Sequence, residues 1–287
     1  MTQEVPAPEP AKKKTKKKEE VVTPLYTFTG TKQEQLQQIY NQWYGCRRCG
    51  LCDFRMLNNG EPLDDIVICS GTPDAAVMFI GEAPGAEETA SGSCFVGNSG
   101  KLLNRILANT SDDPDIFHAY QFYLKQRPAP NSQRDDEFHN LIEAWRNTQY
   151  FFTNVVACQP PENRQPTGNE AKSCWERLWN LIYLVDPLVI VAVGKVALST
   201  LIGRQVEITK IRGQLFDVEF PGRVGKLKYP VVPVLHPSYL LRKADWNDKS
   251  NGDYMKTVED ILKALRIADM LKNKYYGTPL PKRVSTE

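Results

Sequence analysis

Four short apolar segments, separated by helical patterns, constrain the fold more than any other feature of the chain. They read AVMFI (76–80), YFFTNVV (150–156), LVIVAVG (188–194) and YPVVPVL (229–235). Each is too short for a helix and apolar enough for a strand buried on both faces. Helical patterns lie at 31–44, 99–109, 136–148, 169–184, 195–202 and 253–273. This alternation predicts an α/β fold, a three-layer sandwich with a central, mainly parallel four-stranded sheet.

The predicted domain covers 31–273, since 287 residues suffice for one large core. Within it, the polar segment 109–150 is rich in Asp and Pro, and we expect an elaborated insertion there with its own helix. Residues 274–287 are expected to form a flexible tail, and residues 1–30 a disordered leader.

The leader carries the charge imbalance of the chain. Its first 20 residues hold six lysines and four glutamates, and the remainder is balanced, so the leader supplies the whole net charge of +2. Such a run is typical of a solvated tail, a loose tether for a phosphate backbone or a localisation signal. The sequence has no apolar run of membrane-spanning length and no signal-peptide core. We therefore expect a cytoplasmic protein, nucleoid-associated if bacterial or phage, or a nuclear one if the lysine run acts as a signal.

Ligands of parallel sheets bind beyond the carboxyl ends of the strands, which here brings together the loops after Ile80, Val156, Gly194 and Leu235. The first of these loops begins GEAPG, a rigid glycine turn with Glu82 at its start. It has neither the Gly-Lys-Ser/Thr of a phosphate-binding loop nor the G-x-G-x-x-G of a dinucleotide site. A ligand other than a nucleoside triphosphate is expected at this edge.

Three side chains near these loops suit recognition of a planar ring. Phe95, which follows a glycine turn, is either a stacking surface or a core residue. Asn154, near the end of the second strand, offers one donor and one acceptor to a ring edge. His236 begins HPSYLLR after the last strand, where an imidazole can donate to a developing oxyanion.

The seven cysteines indicate a metal site, because an odd number without a secretory signal argues against a disulfide framework. Cys46 and Cys49 form a C-x2-C pair, Cys158 follows the second strand, and Cys174 lies on the next helix. Four thiolates suit either zinc or an iron–sulfur cluster, and the wide spacing of the second pair favours a 4Fe–4S cluster. Cys52 either replaces one ligand or is a bystander. Small buried hydrophobes are the other interpretation of Cys158 and Cys174.

Taken in order, these motifs resemble the uracil-DNA glycosylase superfamily, and most closely its iron–sulfur (family 4) type. The resemblance covers residues 40–270 and rests on the C-x2-C pair, GEAPGAEE…FVGNSGKLL, TNVVACQPPENRQP…C and VLHPSYLLR. It implies an enzyme that flips uracil out of single- or double-stranded DNA and hydrolyses its N-glycosidic bond, leaving an abasic site.

The resemblance also implies roles for individual residues. Glu82 would orient or activate water, and His236 would stabilise charge on uracil O2. Phe95 would stack on the base, Asn154 would pair with its edge, and Glu88 would crowd the position of a thymine methyl. The implied uracil-binding set is Gly81, Ala83, Glu88, Phe95 and Asn154. The implied DNA-binding set is Asn163, Arg164, Ser238, Leu240, Leu241 and Arg242, where the leucines fill the gap left by the flipped base. Cys46, Cys49, Cys158 and Cys174 would hold a structural cluster.

The chain departs from the family pattern at several places. Ala83 stands where other branches carry Asp or Asn, and Cys94 replaces the usual proline before the phenylalanine. The leader and the 109–150 insertion are additional, and either could recruit a protein partner to an otherwise monomeric, membrane-free enzyme.

Three other functions are compatible with parts of the sequence. A non-catalytic uracil- or DNA-binding accessory module suits the leader and Ala83. A branch that traps the sugar covalently through a histidine is disfavoured, because CQPPENRQPTG contains none. A ferredoxin-like electron carrier is disfavoured by the large α/β body.

Overall fold

A computed structural model describes residues 28–55, 63–221, 226–243 and 252–276. Most of the expected leader and tail therefore lies outside the described residues. The helices are α1 (Lys32–Trp43), α2 (Ala86–Ser91), α3 (Asn98–Asn109), α4 (Pro114–Gln126), α5 (Gln133–Gln149), α6 (Gly168–Val185), α7 (Lys195–Ile202), α8 (Ile208–Ile211), α9 (Pro237–Leu241) and α10 (Gly252–Tyr276). The strands are β1 (Ser70–Gly71), β2 (Val77–Gly81), β3 (Phe151–Asn154), β4 (Val189–Val193), β5 (Phe216–Pro221) and β6 (Lys226–Val234).

The sheet contains all four predicted strands, β2, β3, β4 and β6, as a parallel centre. In the described part of the chain it has six strands, in the order β1-β3-β2-β4-β6-β5, so the predicted count of four was short by two. The additional strands, β1 and β5, are the antiparallel edges. The apolar-run criterion misses them because β1 has two residues and β5, FDVEFP, alternates polar with apolar side chains.

Helices cover both faces of the sheet, as a three-layer sandwich requires. On one face Met78 and Ile80 of β2 belong to a core that includes α1 and α6 side chains such as Trp43 and Trp179. On the other face Phe79 belongs to a core that includes side chains of α3 and α10. Alternate residues of one strand thus enter opposite cores, which explains why β2 and β4 are apolar throughout.

The 109–150 insertion contains two helices, α4 and α5, where one was expected. Asp113 caps α4 and Ser132 caps α5 through their side-chain oxygens. The two helices share a small core of their own, which includes Tyr120, Phe138 and Ile142. Among the described residues, no helix is long and apolar enough to cross a lipid bilayer.

Candidate active site

A cavity of about 600 Å³ opens at the carboxyl edge of the parallel strands. The four loops expected to meet there do so: its lining comes from the segments after β2, β3, β4 and β6, together with the turn before α3. Of the residues predicted for catalysis and base binding, six line it: Glu82, Ala83, Glu88, Phe95, Asn154 and His236.

Gly81 brings two of these side chains together. A Cβ atom placed on Gly81 would lie 2.3 Å from Asn154 Oδ1 and 2.6 Å from Phe95 Cζ. Any other residue at position 81 would therefore displace the ring, the amide or both. Gly81 and Asn154 are also register partners in the parallel β2–β3 pair. The backbone ladder continues past the strands, because Val155 N donates to Gly81 O and Val156 N to Glu82 O.

Phe95 is buried and has a backbone φ of 57°. This left-handed conformation costs a bulky residue about 1–2 kcal/mol, so its surroundings must enforce it. Arg146 Nη2 donates to the carbonyls of both Cys94 and Phe95, each at 2.9 Å. The ring lies edge-on to Phe152 and also borders the cavity, so Phe95 is at once a core residue and a wall of the cavity.

Glu88 shapes the same loop from the other side. Its carboxylate accepts hydrogen bonds from the backbone amides of Gly85, Val96 and Gly97, at 2.9 to 3.1 Å. The side chain thereby joins the GEAPG turn to the turn that follows Phe95. These contacts favour a role in loop shape, and the expected contact with a thymine methyl remains a prediction.

Asn154 is held through its backbone as well as its side chain. Its carbonyl accepts a hydrogen bond from Nη2 of Arg177, a fully buried residue of α6. The side-chain Nδ2 donates to Cys94 Sγ at 3.8 Å. Since an amide nitrogen has two hydrogens, the second one and Oδ1 remain for a ligand.

His236 has a defined tautomer. Its Nδ1 accepts a hydrogen bond from the Ser238 backbone amide at 3.1 Å, so in the neutral ring the proton is on Nε2. Burial, with the nearby Arg242 as a second cause, lowers the pKa of His236 to about 4. The imidazole is therefore a neutral Nε2–H donor at physiological pH. Ser238 contacts His236 and also lines the cavity, and its predicted contact with DNA remains a prediction.

Glu82 also lines the cavity, and burial raises the pKa of its carboxyl above the ordinary 4.5. A carboxylate with an elevated pKa in a cavity is a candidate general base.

The predicted DNA-binding residues are divided by the structure. Asn163, Arg164 and Arg242 are exposed and lie at the rim of the cavity. Arg164 forms a bidentate ion pair with Glu170, at 2.7 and 2.9 Å, which engages both terminal nitrogens of its guanidinium.

The prediction for Leu240 was wrong. Its side chain is fully buried in the core beneath α9, so it cannot enter a duplex. Leu241 is partly buried against the same core and is not part of the cavity lining. The helix α9 has only five residues, and its sequence did not reveal which leucine faces inward.

The four predicted ligand cysteines come from three separate elements. Cys46 and Cys49 follow α1, Cys158 follows β3, and Cys174 is on α6. Burial and then the nearby Cys174 raise the pKa of the Cys158 thiol to about 12, and burial also raises that of Cys49. Within the described ranges, no group of three or more Cys, His, Asp or Glu side chains is arranged to hold a metal ion.

The remaining three cysteines have other side-chain partners. Cys52 donates to Asp53 Oδ1 of the adjacent residue. Cys69 is buried beside the Tyr40 hydroxyl, and Cys94 lies beside Asn154.

Sequence reasoning missed the buried arginines Arg146 and Arg177. Each occupies a position on the buried stripe of its helix: Arg146 is four residues after Ile142, and Arg177 is three after Cys174. A charged residue in an apolar stripe signals a specific buried partner and could have identified both.

The fold and the cavity define an α/β protein with a partly apolar cavity at the carboxyl edge of its parallel sheet. A family model of the uracil DNA glycosylase superfamily matches residues 69–263. The chain belongs to this superfamily.

Relatives with curated names support the same family. The chain is 32% identical over 232 residues to a type-4 uracil-DNA glycosylase of Thermotoga maritima, covering 80% of this chain and 94% of the relative. It is 27% identical over 230 residues to one of Archaeoglobus fulgidus, covering 79% and 93%. A DNA polymerase of Bacillus phage SP01 is 26% identical over 178 residues, which are 62% of this chain and 15% of the polymerase.

Proposed function

We propose that this protein is a DNA repair glycosylase that extrudes uracil from DNA and hydrolyses its N-glycosidic bond. The observation that carries the proposal is the convergence of Phe95, Asn154 and His236 on one cavity at the sheet edge. Membership of the superfamily and the type-4 uracil-DNA glycosylases among its relatives support it.

Base recognition is assigned to the wall formed by Phe95 and Asn154. The Phe95 ring supplies a flat surface for stacking. Asn154 Nδ2 donates to uracil O4, and Oδ1 accepts the N3 hydrogen. Cytosine presents a donor and an acceptor in the opposite order, so it leaves both amide groups unpaired and is rejected.

Bond cleavage is assigned to Glu82 and His236. As the bond between sugar C1′ and uracil N1 breaks, its electron pair moves onto the base and positive charge develops on the sugar. His236 Nε2–H donates to O2 of the departing base. Glu82, ionised above its raised pKa, stabilises the cationic sugar and accepts a proton from the water that attacks C1′.

The four cysteines are proposed to hold a 4Fe–4S cluster. The donor set fits, since it is all thiolate and comes from three elements that converge within one hydrophobic core. The wide sequence spacing of Cys158 and Cys174 favours a cluster over zinc. When bound, the cluster would cross-link the turn after α1, the end of β3 and α6.

Metal content tests this assignment. The purified wild-type protein is expected to contain iron and to absorb near 400 nm, and Cys174→Ser is expected to lose both. Cys52→Ser is the matched control and should keep them, because Cys52 is outside the proposed ligand set and its thiol donates to the Asp53 carboxylate. Zinc in place of iron, or loss of iron in the control, would contradict the ligand set.

The interaction partner is proposed to be uracil-containing DNA, bound by a monomer in the cytoplasm or nucleus. The exposed rim residues Asn163, Arg164 and Arg242 are the proposed contacts to its backbone. The 1–30 leader, outside the proposed 31–273 domain, and the 109–150 insertion within it are each proposed to be available to a protein partner.

An excision assay tests the function. Single- and double-stranded oligonucleotides with one uracil are incubated with the protein in EDTA without ATP, then treated with alkali to cleave abasic sites. We expect free uracil and strand cleavage, both lost in Glu82→Ala and retained in Glu137→Ala, an exposed carboxylate of α5. Tight binding to uracil-containing DNA without release of the base would indicate a non-catalytic module instead.

A further inference from the structure

The side chain of Arg146 is completely buried, and its function is not explained by the packing of its own helix. It projects from α5, in the insertion, and its guanidinium lies 4.6 Å from the centre of the Phe152 ring. Burying a charge is costly unless specific partners compensate. Both hydrogen bonds recorded for Arg146 go to the segment that carries Phe95. Its Nε and Nη1 have no hydrogen-bond partner among the described residues.

The Phe95 segment depends on side chains for its backbone hydrogen bonds. Cys94 N donates to Ser70 Oγ at 2.7 Å, and the amides of Val96 and Gly97 donate to Glu88. The carbonyls of Cys94 and Phe95 are the corresponding acceptors, and Arg146 supplies the donor for both. A carboxylate thus holds the amides of this turn and a guanidinium holds its carbonyls.

These bonds act where the backbone is least favourable. Phe95 has a φ of 57°, and its carbonyl packs so closely on α3 that a Cβ on Gly100 would lie 1.9 Å from it. Without the guanidinium, two buried carbonyls would lose their donor. The residue could then relax to an ordinary conformation, which would move the ring away from Gly81 and Asn154.

We propose that Arg146 is a positioning residue for base recognition: from the insertion, it fixes the left-handed backbone of Phe95 and so presents the ring to uracil. The proposal rests on the proposed function and assigns to the 109–150 insertion a part in forming the pocket. Arg146 does not touch the substrate, so its effect must pass through Phe95.

A double-mutant cycle tests this coupling. The kcat/KM for uracil excision is measured for the wild type, Arg146→Met, Phe95→Ala and the double variant. We expect Arg146→Met to lose about 10- to 100-fold, as for a misplaced contact group. In the Phe95→Ala background the same change should cost less than about 3-fold, because the ring it positions is gone. Inhibition by free uracil should weaken in Arg146→Met by a factor similar to the loss in kcat/KM.

Controls separate positioning from stability. Phe138→Leu alters a buried residue of the same helix, outside the Phe95 segment, and should lower Tm while leaving kcat/KM unchanged at 25 °C. Arg146→Lys keeps the positive charge and should recover part of the activity that Arg146→Met loses. The double-mutant cycle is repeated with Arg146→Lys, so that a folding defect in Arg146→Met does not decide the outcome. Independent, multiplicative losses in the cycle, or wild-type kcat/KM in both Arg146 variants, would overturn the proposal. Absence of excision by the wild type would instead overturn the proposed function.

Discussion

The inner wall and the rim of the cavity are built in different ways. On the inner wall, Phe95 and Asn154 are buried, and the carbonyl of each accepts a hydrogen bond from a fully buried arginine. On the rim, Asn163 and Arg242 are exposed, and Arg242 has a 3.4 Å hydrogen bond to Ser238. Arg146 and Arg177 thus fix the groups proposed to read the base. On the rim, Arg164 is held by its ion pair with Glu170, and Asn163 and Arg242 are the more adaptable groups.

This difference matches what each surface must recognise. A uracil ring is rigid and differs from cytosine at two ring-edge positions, so its pocket gains selectivity from fixed geometry. A sugar–phosphate backbone is flexible and similar in every sequence, so charge near the right place suffices. Changes at the inner wall should therefore affect catalysis strongly, and changes at the rim should mainly affect affinity.

The largest effect is expected for His236→Ala. Loss of the Nε2–H donor should lower kcat by about 10²–10³-fold, as for other oxyanion donors. Binding of abasic-site DNA, measured by fluorescence anisotropy, should change little. His118→Ala, at an exposed position of α4, is the control and should match the wild type. An equal loss in both histidine variants would remove His236 from the proposed chemistry.

The next effect is expected for Gly81→Ala. The added methyl would overlap Asn154 Oδ1 and the Phe95 ring, and a displacement of roughly 1 Å at such a contact costs about 10²-fold in kcat/KM. Gly168→Ala adds the same methyl where no atom lies within 4 Å, and its excision rate should equal that of the wild type. Full activity in Gly81→Ala would mean that the inner wall is more adaptable than its packing indicates.

The third effect is a dependence on pH. Glu82 must be ionised to act, and its pKa is raised, so kcat/KM should fall up to tenfold per pH unit as pH drops through that raised value. The pKa of His236 is lowered to about 4, so this residue stays neutral over the pH range in which kcat/KM falls. The residual activity of Glu82→Gln should not show this fall of kcat/KM at low pH. If the same fall persists in that variant, the titration of another group causes it.

The smallest effect is expected at the rim. Arg242→Ala should weaken binding of uracil-containing DNA several-fold and reduce the slope of log K against log salt by about 0.9 for duplex DNA. Arg266→Ala removes an equal charge from an exposed position of α10 and is expected to leave the slope unchanged. A large loss of kcat with an unchanged slope would place Arg242 with the inner wall.

The central sheet and its ligand edge could be predicted because short, wholly apolar runs that alternate with helical patterns are local signals. The edge strands β1 and β5 could not, since a two-residue bridge and an alternating polar strand lack that signal. The loops carrying Glu82 and His236 were located correctly from strand ends alone.

The remaining parts of the site depend on contacts that local patterns do not encode. Arg146 is 51 residues from the carbonyl of Phe95 that it binds, and this pairing becomes visible only when α5 packs beside the sheet. Helix α9 has only five residues, which is too short for its hydrophobic periodicity to show that Leu240 faces the core. Sequence therefore located the pocket better than it located the side chains that support it.

The alignment of Gly81 with Asn154 across β2 and β3 places the amide proposed to read the base beside the strand end that leads into Glu82. Because the ladder continues to Val156 and Glu82, the two backbones stay one strand spacing apart at this edge, about 4.8 Å. A change in the length of a peripheral loop would not alter this spacing. A shift of one strand by a single position would turn the Asn154 side chain to the opposite face of the sheet. The group proposed to select the base would then be separated from the groups proposed to cleave its bond.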